Sequence, residues 1–219
     1  MTAIGAIEGH ALWAATYDSG PNPLRELERR TTAPWIDDLH PQAMVDIGCG
    51  TGRWSQYVRE RGAIAVGIDL CEPMLRKGSG HRALGDALQL PIRSNCADLA
   101  ICSFTAGYLE SPRRLMTELS RIVRHGGHAL VTDVHPDAIA SGWTRSFRHD
   151  DDVYEIENRA HAVEAFVAAA SRNRLALLRS AEPFLGEPER DTYRRAGREH
   201  LCESACGVRA IFALLWRRL

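Results

Sequence analysis

Lysine is nearly absent: the 219-residue chain carries one, Lys77, so 26 of its 27 basic side chains are arginine. Long apolar runs are absent too. None approaches the roughly 18 residues needed to cross a bilayer, so no membrane span is expected. Residues 1–10 lack the positive segment and apolar run of a secretory leader, and a cytoplasmic location is expected. There is no excess charge of either sign, since 27 basic residues face 28 acidic ones. That balance argues against nucleic acid or an anionic membrane as partner. The arginines do not gather either. Thirteen lie at or before position 124 and thirteen at or after 145, with acids throughout. They read as coding bias, not as a binding stripe. A second pair of metal-like ligands is also missing. Cys202 and Cys206 sit one helical turn apart with His200 nearby, but zinc sites show two such pairs. No metal is expected. Four of the six cysteines lie in or beside apolar segments and read as small buried hydrophobes.

What the chain does contain is alternation. Ala43–Ile47, Ile64–Asp69, residues 82–85, Ala97–Ser103 and His128–Val134 are short apolar runs. Helical patterns at Arg53–Arg61, Glu72–Lys77 and Pro112–Arg124 fall between them. That rhythm predicts βαβ units and a parallel sheet. Residues 11–40 read as helical, broken at Ser19–Pro23. Residues 137–158 read as irregular or inserted. Arg159–Ser171 reads as a helix, Leu175–Leu178 as the start of a strand and Val208–Leu214 as the last strand. With no repeat and no low-complexity linker, one domain spanning 1–219 is expected.

The chemistry points to Val45-Asp46-Ile47-Gly48-Cys49-Gly50-Thr51-Gly52-Arg53. Glycines between a strand and a helix let backbone approach a ligand closely. A dinucleotide-binding loop needs G-x-G-x-x-G. Here Arg53 holds the third glycine slot, so a pyrophosphate cradle is disfavoured. Asp69 ends the second strand, one strand–helix–strand unit after Gly48, where a carboxylate can accept both ribose hydroxyls. Asp86 follows the third strand, where it can accept from an adenine amine. Each feature alone has a bland reading, a tight turn or a helix cap. All three in order at successive strand ends describe an adenosine-shaped crevice.

These residues resemble the class I S-adenosylmethionine-dependent methyltransferases. Val45–Gly52 resembles their first motif. Gly67-Ile68-Asp69 with Met74-Leu75 resembles the second, and Gly85-Asp86-Ala87 with Leu90-Pro91 the adenine-contacting segment. Asp98–Ser103, Arg124–His128, Tyr17-Asp18 and Asn22-Pro23-Leu24 add weaker likeness. The resemblance covers residues 13–135 well. It implies a Rossmann-like, doubly wound, mostly parallel seven-stranded sheet with an antiparallel last strand. It also implies S-adenosylmethionine as cofactor and methyl transfer to a small molecule, in a monomer or homodimer. An amino-terminal lid over residues 1–40 is expected, with 136–158 forming part of the acceptor pocket. Residue by residue, Tyr17, Asp46, Gly48, Cys49, Gly50, Asp69, Leu70, Met74, Asp86, Ala87 and Ser103 are the expected cofactor contacts. Tyr108, Trp143, Arg145 and Phe147 are the expected acceptor contacts. His135, just past the fifth strand, is the expected general base, with Tyr17 beside it as a second catalytic candidate. Against these stand a capping histidine, core aromatics and arginines of a solvated loop. Two other functions compete: a non-catalytic S-adenosylmethionine-binding module and, less favoured, a nicotinamide-dependent oxidoreductase. The Asn/Asp-Pro-Pro-aromatic motif of base-methylating relatives is missing, because Ser103-Phe104-Thr105-Ala106 stands there.

Overall fold

The structure is a computed structural model describing residues 2–195, 197, 199 and 202–219. The chain opens with β1 (Thr2–Ile4), α1 (Ala6–Trp13) and α2 (Pro23–Leu39). The alternating core follows: β2 (Ala43–Ile47), α3 (Arg53–Arg59), β3 (Ile64–Asp69), α4 (Glu72–Lys77), β4 (His81–Leu84), β5 (Ala97–Ser103), α5 (Pro112–Ile122) and β6 (Val123–Val134). The remainder is α6 (Pro136–Ala140), β7 (Arg145–His149), β8 (Asp152–Ile156), α7 (Val163–Arg172), β9 (Leu175–Ala181), α8 (Glu187–Arg195), α9 (Cys202–Ala205) and β10 (Ile211–Arg218).

Seven strands form one sheet in the order β4-β3-β2-β5-β6-β10-β9. The first five are mutually parallel, and β10 runs antiparallel to both β6 and β9. The strand order reverses between β2 and β5, and ligands bind outside the carboxyl ends of strands at such a switch point. The inner strands are near-continuous apolar runs because helices cover both faces. On one face α5 buries Leu115, Met116, Leu119 and Ile122, the i, i+4, i+7 stripe of a core-facing helix. On the other, Ile36 from α2 and Trp54 and Val58 from α3 pack over Met44, Leu99 and Leu130. Asn22 starts α2 by accepting from the Leu24 and Arg25 amides, with Pro23 in the first turn.

Three expectations are corrected. Residues 137–158 are ordered as α6 and a β7–β8 hairpin, and β8 pairs in parallel with β1 as a separate three-stranded sheet. The pairing partner of β8 lies at the opposite end of the alternating core, so no local pattern announces it. The last strand runs on to Arg218, not Leu214, because Trp216 is fully buried between β6 and β9. The 159–171 helix begins at Val163, and α8 occupies a stretch with no expected element. His200 lies outside the described residues. Cys202 and Cys206 approach to 3.6 Å between sulfurs, and no three-ligand metal cluster occurs among the described residues. No described helix is long and apolar enough to cross a membrane.

Candidate active site

A cavity of about 200 Å³ opens at the carboxyl ends of β2, β3, β4 and β5. Its floor is the glycine loop. Gly48 and Gly50 have φ of +63° and +55°, a region that disfavours side chains. A Cβ on Gly48 would collide with Thr105, whose Oγ1 donates to the Gly48 carbonyl at 3.2 Å. Phe104, between Ser103 and Thr105, also has a positive φ, +51°. Such backbone conformations in bulky residues concentrate at functional sites.

One wall carries the acids. Asp69 accepts from the Gly50 amide at 2.7 Å and the Cys71 amide at 2.8 Å, one through each oxygen. Both oxygens keep a lone pair for a ligand hydroxyl. Asp86 is fixed in the same way by the Leu88 amide at 2.8 Å. Leu70, Met74 and Ala87 supply the apolar surfaces between the acids, and Ser103 lies across the loop. The roof is α1 and the turn after it: Ala6, Ile7, His10 and Tyr17 all line the cavity. Tyr17 packs edge-on against Trp13 at 4.9 Å. Among the described residues no lysine or arginine lines this cavity, whereas two carboxylates do.

A second, smaller cavity of about 150 Å³ adjoins the first. His10, Tyr17, Phe104 and Tyr108 line both and form the partition between them. Beyond it Trp13, Tyr17, Asn22 and Leu24 lead into an open groove of about 710 Å³ that also takes in Trp143 and Phe147.

Of the expected cofactor contacts, Tyr17, Gly48, Gly50, Asp69, Leu70, Met74, Asp86, Ala87 and Ser103 come together around the first cavity. Asp46 and Cys49 do not line it. Asp46 is buried behind the loop and accepts from the Ser55 amide and hydroxyl at 3.0 and 2.8 Å. Burial raises its pKa to about 6, against the pull of those two bonds and Arg53. Cys49 turns its sulfur toward Gly67, where only a glycine leaves room, and burial pushes its thiol well up.

The acceptor-side expectations need more revision. His135 is 2% exposed and lines none of these three cavities. Its Nδ1 accepts from the Asp137 amide at 3.0 Å to cap α6, and Nε2 lies 3.2 Å from Glu182. In the fold it serves as the cap of α6, away from the cavities. Arg145 lines the second cavity, but its charge is taken by buried Asp133, and it donates to the Phe104 carbonyl at 2.8 Å. Its guanidinium lies 4.6 Å over the Tyr108 ring. The Tyr108 hydroxyl is pushed up to about 12, chiefly by burial and against that guanidinium. Phe147 is 6% exposed and stacks on Trp13 at 5.1 Å, so it fixes the roof rather than facing the partition. Trp143 packs against the Leu27–Ile211 cluster at the groove's edge.

Two features of the site are missing from the sequence-based expectations. His10 is one. Its spacing to Trp13 and Tyr17, three and then four residues, is a helical stripe that would have found it. Glu28 is the other, fully buried and bound by Arg53, Trp54 Nε1 at 3.2 Å, Ser103 Oγ at 2.7 Å and Thr132 Oγ1 at 2.6 Å. Nothing in the surrounding sequence marks it.

The fold and the cavity resemble those of the class I S-adenosylmethionine-dependent methyltransferases. A family model described as a methyltransferase domain matches residues 45–131, the stretch from β2 into β6. The chain is 33% identical over 125 residues to a malonyl-[acyl-carrier protein] O-methyltransferase of Salmonella typhimurium, covering 55% of this chain and 47% of that one. It thus spans about half the length of the curated relatives it matches. An S-adenosylmethionine-dependent methyltransferase from Mesorhizobium loti superposes with a TM-score of 0.65 at 20% identity, over 85% of this chain and 97% of that one. A [4+2]-cyclase superposes with a TM-score of 0.70 at 16% identity, over all of this chain and 98% of the other. The architecture alone therefore does not fix the reaction.

Proposed function

We propose that the protein binds S-adenosylmethionine in the first cavity and transfers its methyl group to a small-molecule acceptor entering through the second. One observation carries this reading: among the described residues, the cavity pairs two fixed carboxylates with no cationic side chain. A dinucleotide would bring a pyrophosphate against that wall without a single counter-charge. A sulfonium nucleoside brings a positive charge, which the carboxylates favour. The displaced glycine at Gly52 and the positive φ of Gly48 and Gly50 suit close approach without a phosphate cradle.

The residues have separable tasks in this reading. Asp69 accepts the ribose hydroxyls, held rigid by two backbone amides. Asp86 and Ala87 meet the adenine edge, with Leu70 and Met74 along its faces. Ser103, bonded to Glu28, borders the methionine end. The α1 roof and Tyr17 exclude water. Bound S-adenosylmethionine would supply an activated methyl group with a good leaving group already attached. The protein then mainly aligns the acceptor and strips its water. The resemblance to O-methyltransferases supports oxygen as the methylated atom.

Titration calorimetry tests the reading. Binding of S-adenosylmethionine and S-adenosylhomocysteine is expected, and NAD is expected to give no heat. Tight NAD binding with no response to S-adenosylmethionine would overturn it. Cofactor binding without methyl transfer to any acceptor would favour the non-catalytic module.

A further inference from the structure

We propose that His10 is the general base of the transfer and that the acceptor is a neutral aromatic hydroxyl compound, seated with one ring in the second, smaller cavity. This rests on the methyltransferase reading above and adds the acceptor's chemical class to it.

His10 is one of four residues that line both cavities, so its ring borders the cofactor cavity on one side and the second cavity on the other. Its Nδ1 lies 2.8 Å from the Ala6 carbonyl within α1. A carbonyl only accepts, so Nδ1 carries the hydrogen. In the neutral ring that leaves Nε2 with a free lone pair, and Nε2 has no hydrogen-bond partner among the described residues. The Tyr108 ring holds the imidazole edge-on at 5.0 Å. Burial, the largest influence, lowers the His10 pKa, and Arg145 lowers it further. The Ala6 bond and Asp69 raise it but do not prevail. The imidazole is therefore unprotonated at neutral pH, as a base must be.

Charge and shape then define the acceptor. Among the described residues two cations line the second cavity, and both are already paired: Arg25 with Asp18 at 3.0 Å, and Arg145 with Asp133. A carboxylate entering here would find no free side-chain counter-charge and would lose its water. A neutral acceptor avoids that cost but must give up a proton to become nucleophilic. Trp13, Tyr17, Phe104 and Tyr108 supply aromatic wall, with Leu24 and Val134 apolar and Asn22, Thr144 and Ser146 polar beside them. The cavity volume is about 150 Å³, and an apolar cavity of that size admits a benzene ring. A phenol satisfies volume, polarity and proton together.

In the transfer, the acceptor O–H bond breaks and its proton passes to Nε2, giving an imidazolium. The oxygen lone pair forms the new O–C bond to the methyl carbon. The methyl C–S bond breaks with its electron pair left on sulfur, which becomes a neutral thioether. The imidazolium returns its proton to solvent.

The test uses the full chain, with radiolabelled S-adenosylmethionine and two probes: 2-naphthol, and malonyl-N-acetylcysteamine as an already ionised carboxylate. Methylation of 2-naphthol is expected, falling at least 100-fold in His10→Gln and His10→Ala. S-adenosylhomocysteine affinity should change less than about threefold in His10→Gln, which separates this proposal from the cofactor reading. The acidic limb of the turnover profile should lie below pH 6.5 and vanish in His10→Gln. Independently of turnover, ¹⁵N NMR of the S-adenosylhomocysteine complex should show His10 as the neutral Nδ1–H tautomer at pH 7. Methylation of the carboxylate alone, methylation of neither probe, or full turnover in both variants would overturn the proposal. So would an imidazolium or an Nε2–H tautomer at pH 7.

Discussion

Three acidic or basic residues separate binding from support. Asp69 spends one lone pair on each of two loop amides and offers the rest to a ligand. Asp69→Ala removes charge-assisted bonds worth about 1.5–3 kcal/mol each, so S-adenosylmethionine affinity should fall at least tenfold by calorimetry. Asp46 is different, since its two bonds end on Ser55 inside the protein. Its pKa in the fold, about 6, stands above the ordinary 3.8. The folded state therefore holds this proton more tightly than the unfolded state. The associated stability is fully present below pH 3.8 and is lost as pH rises through about 6. Asp46→Asn removes that titration while keeping an oxygen for Ser55. Thermal melts at pH 4.5 and 7.5 should show the variant gaining on the wild type at the higher pH. No relative change between the two pH values would rule out a protonated Asp46. His135→Ala should lose a helix cap worth about 1 kcal/mol and leave turnover intact.

At the scale of elements, the strand–loop–helix unit from β2 to α3 needs glycine for two reasons at once. Gly48 has φ +63° and Thr105 occupies the space its Cβ would fill. Gly48→Ala should cost about 2–4 kcal/mol, combining a left-handed penalty with overpacking. Chemical denaturation measures it, and an unchanged midpoint would mean the loop relaxes freely. The helix stripes and buried strands of this unit were legible in the sequence because their partners are chain neighbours. The β7–β8 hairpin was not. Its sequence mixes arginine, histidine and acids with a few apolar residues, and its order depends on β1 and on the Trp13–Phe147 stack.

For the whole molecule, Glu28 is the knot. From α2 it reaches α3 through Arg53 and Trp54, β5 through Ser103 and β6 through Thr132. Glu28→Gln leaves Arg53 beside the site without its buried counter-charge. Removing one partner of such a pair costs about 3–5 kcal/mol, and a stability loss of that order is expected by denaturation. A variant as stable as the wild type would show that the network carries little net stability. The roof over the cavity is likewise a property of the entire chain, since β1 and α1 are held by β8 and β7 from the far side of the alternating core.

The sequence by itself determined the parallel sheet, the glycine loop and the two acids at the ends of β3 and β4. These follow from period, flanking residues and motif spacing within successive strand–helix units. Only the tertiary structure decided which expected residues face the cavities. It turned Asp46, Cys49 and His135 away, tied Arg145 to Asp133 and brought His10 to the partition. The physical reason is that a side chain's role depends on its partners across the fold. The Arg145 charge is cancelled by an acid at the end of β6, and the His10 lone pair is freed by a carbonyl one turn away, under a helix that another sheet holds in place. Neither fact is written in the spacing of the chain.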